Sequence, residues 1–491
     1  MEQLSGLDAL FLHAEMHGMP MHLSLLSIYN PLLAPDKKVE FRQILDLFEK
    51  NIQLSVPLLR HKLVEVPFNL DQPYWIEDPN FDLVYHVRHI ALPKPGNWQK
   101  LCSLAANLHA QPLNRGRPLW EAYVIDGLDH IENIPAGCFA ILLKVHHSMM
   151  DGRTGMAVFN NLHTLASGDV YQVKKTNITN DDGRFFSHES DIRMPSLLVK
   201  AAVNNIYRAG RLIRMMGHAV GLYGEVRQAM KAHELKQLQK PKTRFNGQIS
   251  PRRVVDRICL SLEKINLIKS SFPDHTVNDI ALAIISGALR RYLISKNELP
   301  EDSLVAAVPI NVRNADHEIY TGNSLNITNI SLRTDVAKPL DRLRRVHKEA
   351  LAGKAYARKL GNNIVNETMD NLFVGMVAWG VKAAVQSGVL DKFPPANNTI
   401  VTNIPGSPDQ LFLCGAPLID SFGMGPLVPN TGLFHAISSS YGHVTISFTA
   451  DRQKMDDPDF YVCCLQESFD ELVDALKHET ESQPTKRKAV H

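Results

Sequence analysis

No part of the chain runs for the ~18 uncharged apolar residues that a membrane-spanning helix needs. The nearest approach, NLFVGMVAWGVKAAVQSGVL, is interrupted by Lys382, so no spanning helix is expected. Cysteine is scarce: six residues, Cys102, Cys138, Cys259, Cys414, Cys463 and Cys464, with no C-x-x-C pair. A chain of 491 residues has no need of staples, and this usage predicts reduced thiols in a cytoplasmic protein. The opening MEQLSGLDALFLHAEM has no basic n-region and its apolar run is broken by charge, so no secretory leader is expected. Neither sign of charge dominates. A formal net charge of +2 gives no global electrostatic case for a nucleic-acid partner. G-x-S-x-G and H-E-x-x-H are also missing, and with them the signatures of a serine nucleophile elbow and of a zinc helix.

What remains is ordinary globular composition, 44% hydrophobic and 21% charged, enough for a large core. The first third alternates strands and helices. LSLLSIYN reads as a strand, and FRQILDLFEKNIQ has helical spacing at Phe41, Ile44, Leu45 and Phe48. LVYHVRHIAL alternates, and WQKLCSLAANLHAQPL is amphipathic. PLWEAYVIDGL and GCFAILLKVHH read as two strands joined through DHIENIPAG. The second is apolar on both faces, which predicts a strand inside a sheet. From residue 252 a second α/β region begins. TVNDIALAIISGALRRYLI is a helix, with Thr276 and Asp279 suited to a capping box and Arg290 and Arg291 to the C-terminal dipole. LVAAVPINVR, NTIVTNIPG and HVTISFTAD are strands, and FYVCCLQESFDELVDALKH is a closing helix. The expected division is a first α/β domain at 1–170, a linker with a basic helical segment at 171–250, a second α/β domain at 251–480 and a flexible tail at 481–491.

The chemistry concentrates in LLKVHHSMMDGRTG, residues 142–155. A buried strand ends in His146 and His147, and Asp151-Gly152 follows. Adjacent strand residues point to opposite faces, so one histidine at most can face a given cavity. One imidazole can serve as general base, since an unperturbed pKa near ~6.5 suits proton abstraction from a hydroxyl at neutral pH. A metal site on both histidines and Asp151 is the weaker alternative, because the side chains oppose and no third histidine lies near. A His146/Asp151 pair of the H-x-x-x-x-D kind is a third reading, and two core histidines satisfied by backbone is a fourth. Asp-Gly is a turn dipeptide in which glycine tolerates positive φ. It bends the chain after the histidines, so Asp151 can fold back to an arginine and fix the loop.

HHSMMDG resembles the H-H-x-x-x-D-G signature of CoA-dependent acyltransferases, a group that includes chloramphenicol acetyltransferases and peptide-synthetase condensation domains. Further stretches resemble one branch, the bacterial wax ester synthase/diacylglycerol acyltransferases: LSGLDALFL, PMH, DLVYHVRHIALPKPG, PLNRGRPLWEAYVIDGL, VNDIALAIISGALRRYL, VPINVR, TNIPGSP and GPLVPNTGL. The likeness covers nearly the whole chain in order. It departs where the family's Pro-Val-Ser block reads PLVPN and where Asn-Val-Pro-Gly-Pro reads NIPGSP, differences that bear on acceptor preference.

The resemblance implies an α/β fold of two chloramphenicol-acetyltransferase-like domains, each a mixed sheet with helices, around a central tunnel. It implies acyl transfer from acyl-CoA, a substrate rather than a cofactor, to a fatty alcohol or diacylglycerol, with no metal. His147 would be the general base, His146 structural, and Asp151 and Gly152 the fixed turn. Pro118, Leu119 and Trp120 would lie beside the acyl tunnel, although a tryptophan on a strand is as readily core. Asn278 and Asp279 would support the oxyanion or merely cap a helix. Asn403 would sit in a tight turn, running to Gly406, at the tunnel wall. An amide-forming condensation enzyme of the same fold and a non-catalytic lipid-surface protein are the alternatives.

One segment is markedly basic. Over 195–244, Val199, Ala202, Val203, Ile206, Ile213 and Met216 fall on one helical arc, with Lys200, Arg208, Arg211 and Arg214 opposite. Basic residues continue through Arg227, Lys231, Lys236, Lys240, Lys242 and Arg244. Such a helix can lie peripherally on a membrane or lipid inclusion, or its apolar arc can pack on the protein's own body. The sequence is silent on oligomeric state.

Overall fold

The computed structural model describes residues 2–16, 18–54, 57–167, 195–208, 240–309, 327–360, 374–389 and 394–481. In the first half a small sheet, ordered β1-β4-β3, is built from β1 (Glu2–Gln3), β3 (His61–Val64) and β4 (Tyr74–Glu77). Beside it stand β2 (His22–Tyr29), β5 (Val87–Ala91), β6 (Trp120–Asp126) and β7 (Phe139–His146). The helices here are α1 (Gly6–Ala14), α2 (Phe41–Leu54), α3 (Leu83–His86), α4 (Trp98–Ala110), α5 (Gly152–Asn161) and α6 (195–208).

The second half contains β8 (Arg253–Ser261), β9 (Val305–Pro309), β10 (Ile327–Ser331), β11 (Thr399–Pro405), β12 (Phe412–Leu413), β13 (Ala416–Met424), β14 (Leu433–Ser440) and β15 (His443–Asp451). Its helices are α7 (Leu262–Ser271), α8 (Val277–Ser295), α9 (Pro339–Leu360), α10 (Val374–Gln386) and α11 (Pro458–Glu481). Two mixed six-stranded sheets result, ordered β12-β13-β2-β7-β6-β5 and β10-β9-β11-β14-β15-β8.

The largely apolar β7 lies between β2 and β6, with antiparallel neighbours on both sides. An apolar strand face on each side requires that interior place. In the second half α8 is buried along nearly its whole length, between α7, α9 and α11. A β-carbon at Gly287 would stand 2.1 Å from Ser468 Oγ, so only glycine admits α11 at that distance. Thr276 and Asp279 form the capping box.

Four expectations change. The division at 170 and 251 is not clean, because β12 and β13 from residues 412–424 complete the first sheet through pairing of β13 with β2. The exposed edge of β2 needs a partner, and the second half supplies it. LVYHVRHIAL is not all strand: Asp82 accepts the Val84 N–H and caps the short α3 before β5 begins. Arg290 and Arg291 do not serve the C-terminus of α8, which continues to Ser295. Arg290 donates to the Thr334 carbonyl, and Arg291 pairs with Glu467 and Glu471 on α11. Asn403–Pro405 is strand, not a tight turn, because it pairs in parallel with Ile437–Ser439. The segments around INVR, 168–194, 209–239 and 482–491 lie outside the described residues.

Candidate active site

The last residues of β7 alternate as the pleat requires. The His146 N–H donates to the Leu119 carbonyl before β6 at 2.9 Å, and the His147 N–H to Met21 before β2 at 2.8 Å. The two imidazoles therefore occupy different surroundings. His146 is buried and pairs in register with His22, ring edge to ring face, at 5.7 Å. Its Nδ1 accepts the Ser148 N–H at 3.1 Å, which puts the ring proton on Nε2. Burial lowers its pKa to about 3, and the nearby positive groups Arg115 and His147 add to the effect. His146 is thus neutral across the physiological range.

His147 is the first residue beyond the strand and is half-buried. Its ring lies flat on Phe11 of α1, with centroids 4.0 Å apart and planes 8° from parallel. One turn further along α1, Glu15 receives Arg115 Nη2 at 2.9 Å on Oε2. Its Oε1 stands 3.5 Å from His22 Nε2 and 3.8 Å from His146 Nε2. Arg115 also donates to the Leu12 carbonyl at 2.7 Å, so it clamps the end of α1. A cleft of about 600 Å³ opens here, lined among others by Glu15, Arg115, Pro251 and Lys382.

Asp151 is the N-cap of α5, with Oδ1 accepting the Thr154 N–H at 2.8 Å. Asp151 forms no ion pair with any described side chain, and this cap holds the start of α5; Arg313 of VPINVR lies outside the described residues. An N-cap aspartate serves a helix start that otherwise leaves donors unpaired. Gly152 is the first residue of α5 and is not among the glycines with positive φ. The turn needs its lack of side chain for a different reason: a β-carbon there would meet Ile404 Cδ1 at 2.8 Å. That contact joins the Asp-Gly turn to β11 of the other half. An apolar cavity of about 40 Å³ lies at the same junction, lined by Leu25, Phe159, Ile404, Leu418 and Ile437 among others. Asn403, the neighbour of Ile404, is exposed.

Other sequence candidates are placed as structure. Pro118, Leu119 and Trp120 are buried, Trp120 completely, with its Nε1 donating to the Leu59 carbonyl at 2.7 Å. Its indole lies near Phe48 and His86. Asp279 is used by the cap and by His347, whose Nδ1 is 3.0 Å from its Oδ2, and Asn278 sits beside it at the start of α8. His86 bonds the Trp120 carbonyl, whereas His89 is exposed and pairs with Asp126. Among the described residues no group of three or more His, Cys, Asp or Glu could hold a metal ion. Nor is any of their helices long and apolar enough to cross a membrane. All six cysteines are free thiols.

Phe11, His22 and Arg115 lie in LSGLDALFL, PMH and PLNRGRPLWEAYVIDGL, but with Glu15 they come from three separate segments, so no spacing marks them as one site. Lys144 carried a signal, a lysine inside an apolar strand. It is fully buried, donates to the Leu108 and Gln111 carbonyls and pairs with Glu121 at 3.1 Å. Burial pushes its ammonium below the ordinary lysine range, opposed by Glu121.

The basic segment differs most from expectation. Leu197 and Ala201 of α6 pack on Val66 and Tyr74, and Asn204 donates to Asp71 at 2.7 Å. Arg208 is buried in an ion pair with Asp71, so it is not a lipid-facing cation. Val199, Val203 and Ile206 point outward, Ile206 being 74% exposed. The small and polar face of α6 docks and the apolar face is left out. Arg244 is likewise engaged, with Glu298 at 3.0 Å. Arg211, Arg214, Arg227, Lys231 and Lys236 lie outside the described residues.

Residues 4–281 match the model of the wax ester synthase/diacylglycerol acyltransferase catalytic domain, and residues 321–473 that of the C-terminal domain that accompanies it. A Mycobacterium tuberculosis protein named as a diacylglycerol O-acyltransferase is 31% identical over 437 residues, which covers 87% of this chain and 86% of that protein. A second, with the same activity in its name, is 30% identical over 477 residues, covering 92% and 93%. The solved wax ester synthase/diacylglycerol acyltransferase from Marinobacter aquaeolei VT8 superposes with a TM-score of 0.68 at 25% identity, covering 97% of this chain and all of that one. A trichothecene 15-O-acetyltransferase from Fusarium sporotrichioides shares the fold at a TM-score of 0.58 and 12% identity, covering 96% of this chain and 94% of that one.

Proposed function

The chain belongs to the wax ester synthase/diacylglycerol acyltransferase family, and from that premise we propose that it transfers a long-chain acyl group from acyl-CoA to the hydroxyl of a fatty alcohol and of diacylglycerol. The observation that carries this reading is the separation of the two histidines. His146 is buried, neutral and tied to Ser148, while the adjacent His147 is half-buried and lies flat on Phe11 of α1. One imidazole is thereby left for proton transfer, and its neighbour does not compete for the proton.

In the proposed step the His147 imidazole takes the acceptor's hydroxyl proton as the oxygen attacks the thioester carbonyl carbon. The C–O bond forms, the tetrahedral adduct collapses, and the C–S bond breaks. The same proton passes from His147 to the departing CoA sulfur, so ester and free thiol leave and the histidine returns neutral. No covalent enzyme intermediate is required, which agrees with the missing G-x-S-x-G.

The test is release of free CoA from palmitoyl-CoA in the presence of hexadecanol, diacylglycerol, an amine acceptor or none. Release is expected with the two alcohols only. Equal release without acceptor would make the protein a thioesterase, and release with the amine alone would make it a condensation enzyme. His147→Ala is expected to lower turnover by ~10²–10⁴-fold with unchanged melting, whereas near-normal turnover in that folded variant overturns the assignment of the base.

A further inference from the structure

A base that accepts a proton becomes a cation during the step it assists. His147 does so with its ring plane 8° from that of Phe11 and centroids 4.0 Å apart. The face of a phenyl ring is the negative side of its quadrupole and attracts a cation laid upon it. We infer that Phe11 is a positioning residue for His147: it holds the imidazole plane in one orientation and stabilises the imidazolium formed when the acceptor's proton is taken. This rests on the reading of His147 as the base.

Phe11 is itself held. At the start of α1 Ser5 accepts the Asp8 N–H at 3.1 Å. At its end Arg115 binds both the Leu12 carbonyl and Glu15, and α10 packs along the helix. On the other side the His147 backbone is fixed to Met21. These attachments hold the two backbones in place, and between them the rings lie parallel. α1 is therefore a part of the site that the His-His-Asp-Gly motif does not mark: Phe11 lies on His147, and Glu15, at the cap of the helix, approaches His146 and His22.

Charged and titratable groups stand on the elements around His147. These are His146 and Asp151 on its own turn, Asp8, His13 and Glu15 on α1, His22 on β2, Arg115 before β6 and Lys382 on α10. None of them changes when Phe11 is replaced by an uncharged residue, so a shift in His147 on such a replacement reports the ring.

The experiment follows His147 in two ways, by NMR titration of the labelled imidazole in the resting protein and by the pH profile of kcat/KM. The variants are Phe11→Leu, Phe11→Trp and replacement of Phe11 by progressively fluorinated phenylalanines, which keep its shape while removing the negative face. Phe11→Leu is expected to lower the His147 pKa by about half a unit. That is a factor of about three, or ~0.7 kcal/mol at ~1.4 kcal/mol per unit, within the range of exposed cation–π pairs. The acidic limb of kcat/KM should move down with it, kcat should fall about two- to threefold, and KM should hold. Fluorination should reproduce the shift in graded steps, and Phe11→Trp should oppose it. An unchanged imidazole pKa through the fluorinated series overturns the inference, because a purely structural ring would give that result. If the imidazole shifts while the kinetic limb stays, the contact is upheld and the reading of His147 as base fails.

Discussion

Asp151 decides between two accounts of the same loop. Read from the sequence, its charge holds an arginine. In the structure its oxygen accepts the Thr154 N–H as the cap of α5. The two accounts separate on one substitution. Asparagine caps about as well as aspartate, so Asp151→Asn should leave melting and turnover close to wild type, whereas Asp151→Ala should cost about 1 kcal/mol of stability. Thermal melts of both variants alongside their CoA-release rates check this. Equal damage from Asn and Ala would restore the ion pair. Gly152 corrects the residue scale in the same way: its part is the contact with Ile404 rather than positive φ, and that contact is invisible until β11 is placed beside it.

At the scale of elements, α6 shows that amphipathicity does not fix which face docks. Its apolar arc was expected either to pack on the body or to lie in lipid, and the body takes the other face. The aliphatic Leu197 and Ala201 fit against Val66 and Tyr74, and Asp71 draws in Asn204 and Arg208. Beside the outward row of Val199, Val203 and Ile206, Asn205 donates to the Leu70 carbonyl, and Phe68, two residues before Leu70, is 91% exposed. Water-insoluble acceptors favour a lipid interface as the occupant of this row. Val199→Ser together with Ile206→Ser should weaken flotation with liposomes while melting is retained. Arg208→Gln should instead destabilise by about 3–5 kcal/mol, since it leaves Asp71 buried and unpaired. If Arg208→Gln melts normally and only loses salt-dependent flotation, the cation faces lipid after all.

The whole molecule carries several histidines that fold as neutral groups. Burial lowers His109, His146 and His435 to about 3 and His22 well below its ordinary value. The unfolded chain binds protons on these rings from about pH 6.5 downward, while the folded chain does so only near 3. Between those limits the unfolded state holds more protons, so stability is complete above about pH 6.5 and declines steadily as pH falls toward 3. Denaturant melts from pH 7 to 4 should show this slope. His435 lies in the second sheet against Tyr461 and Thr399, on a different sheet from His146. His435→Gln should flatten the slope by close to one proton, about 1.4 kcal/mol per pH unit. An unaltered slope would place the acid sensitivity in the carboxylates.

Periodicity and composition were sufficient for what depends on neighbours in the chain. The interior strand β7, the long buried α8 with its capping box and the turn after His147 all follow from spacing within about twenty residues, because pleat, helical pitch and capping are local geometry. The adjacent histidines had to part, since a strand sends successive side chains to opposite faces. The sequence could not tell that β13 would cross to complete the first sheet, nor that Asp279 would also meet His347, nor that the Trp120 indole would reach the Leu59 carbonyl. Those outcomes depend on contacts between segments tens to hundreds of residues apart. Phe11 meets His147, Glu15 meets Arg115, and Ile404 meets Gly152 only when α1, the loop before β6 and β11 converge on the end of β7. No residue pattern encodes such convergence, because burial and charge pairing are properties of the assembled surfaces rather than of any one stretch of chain.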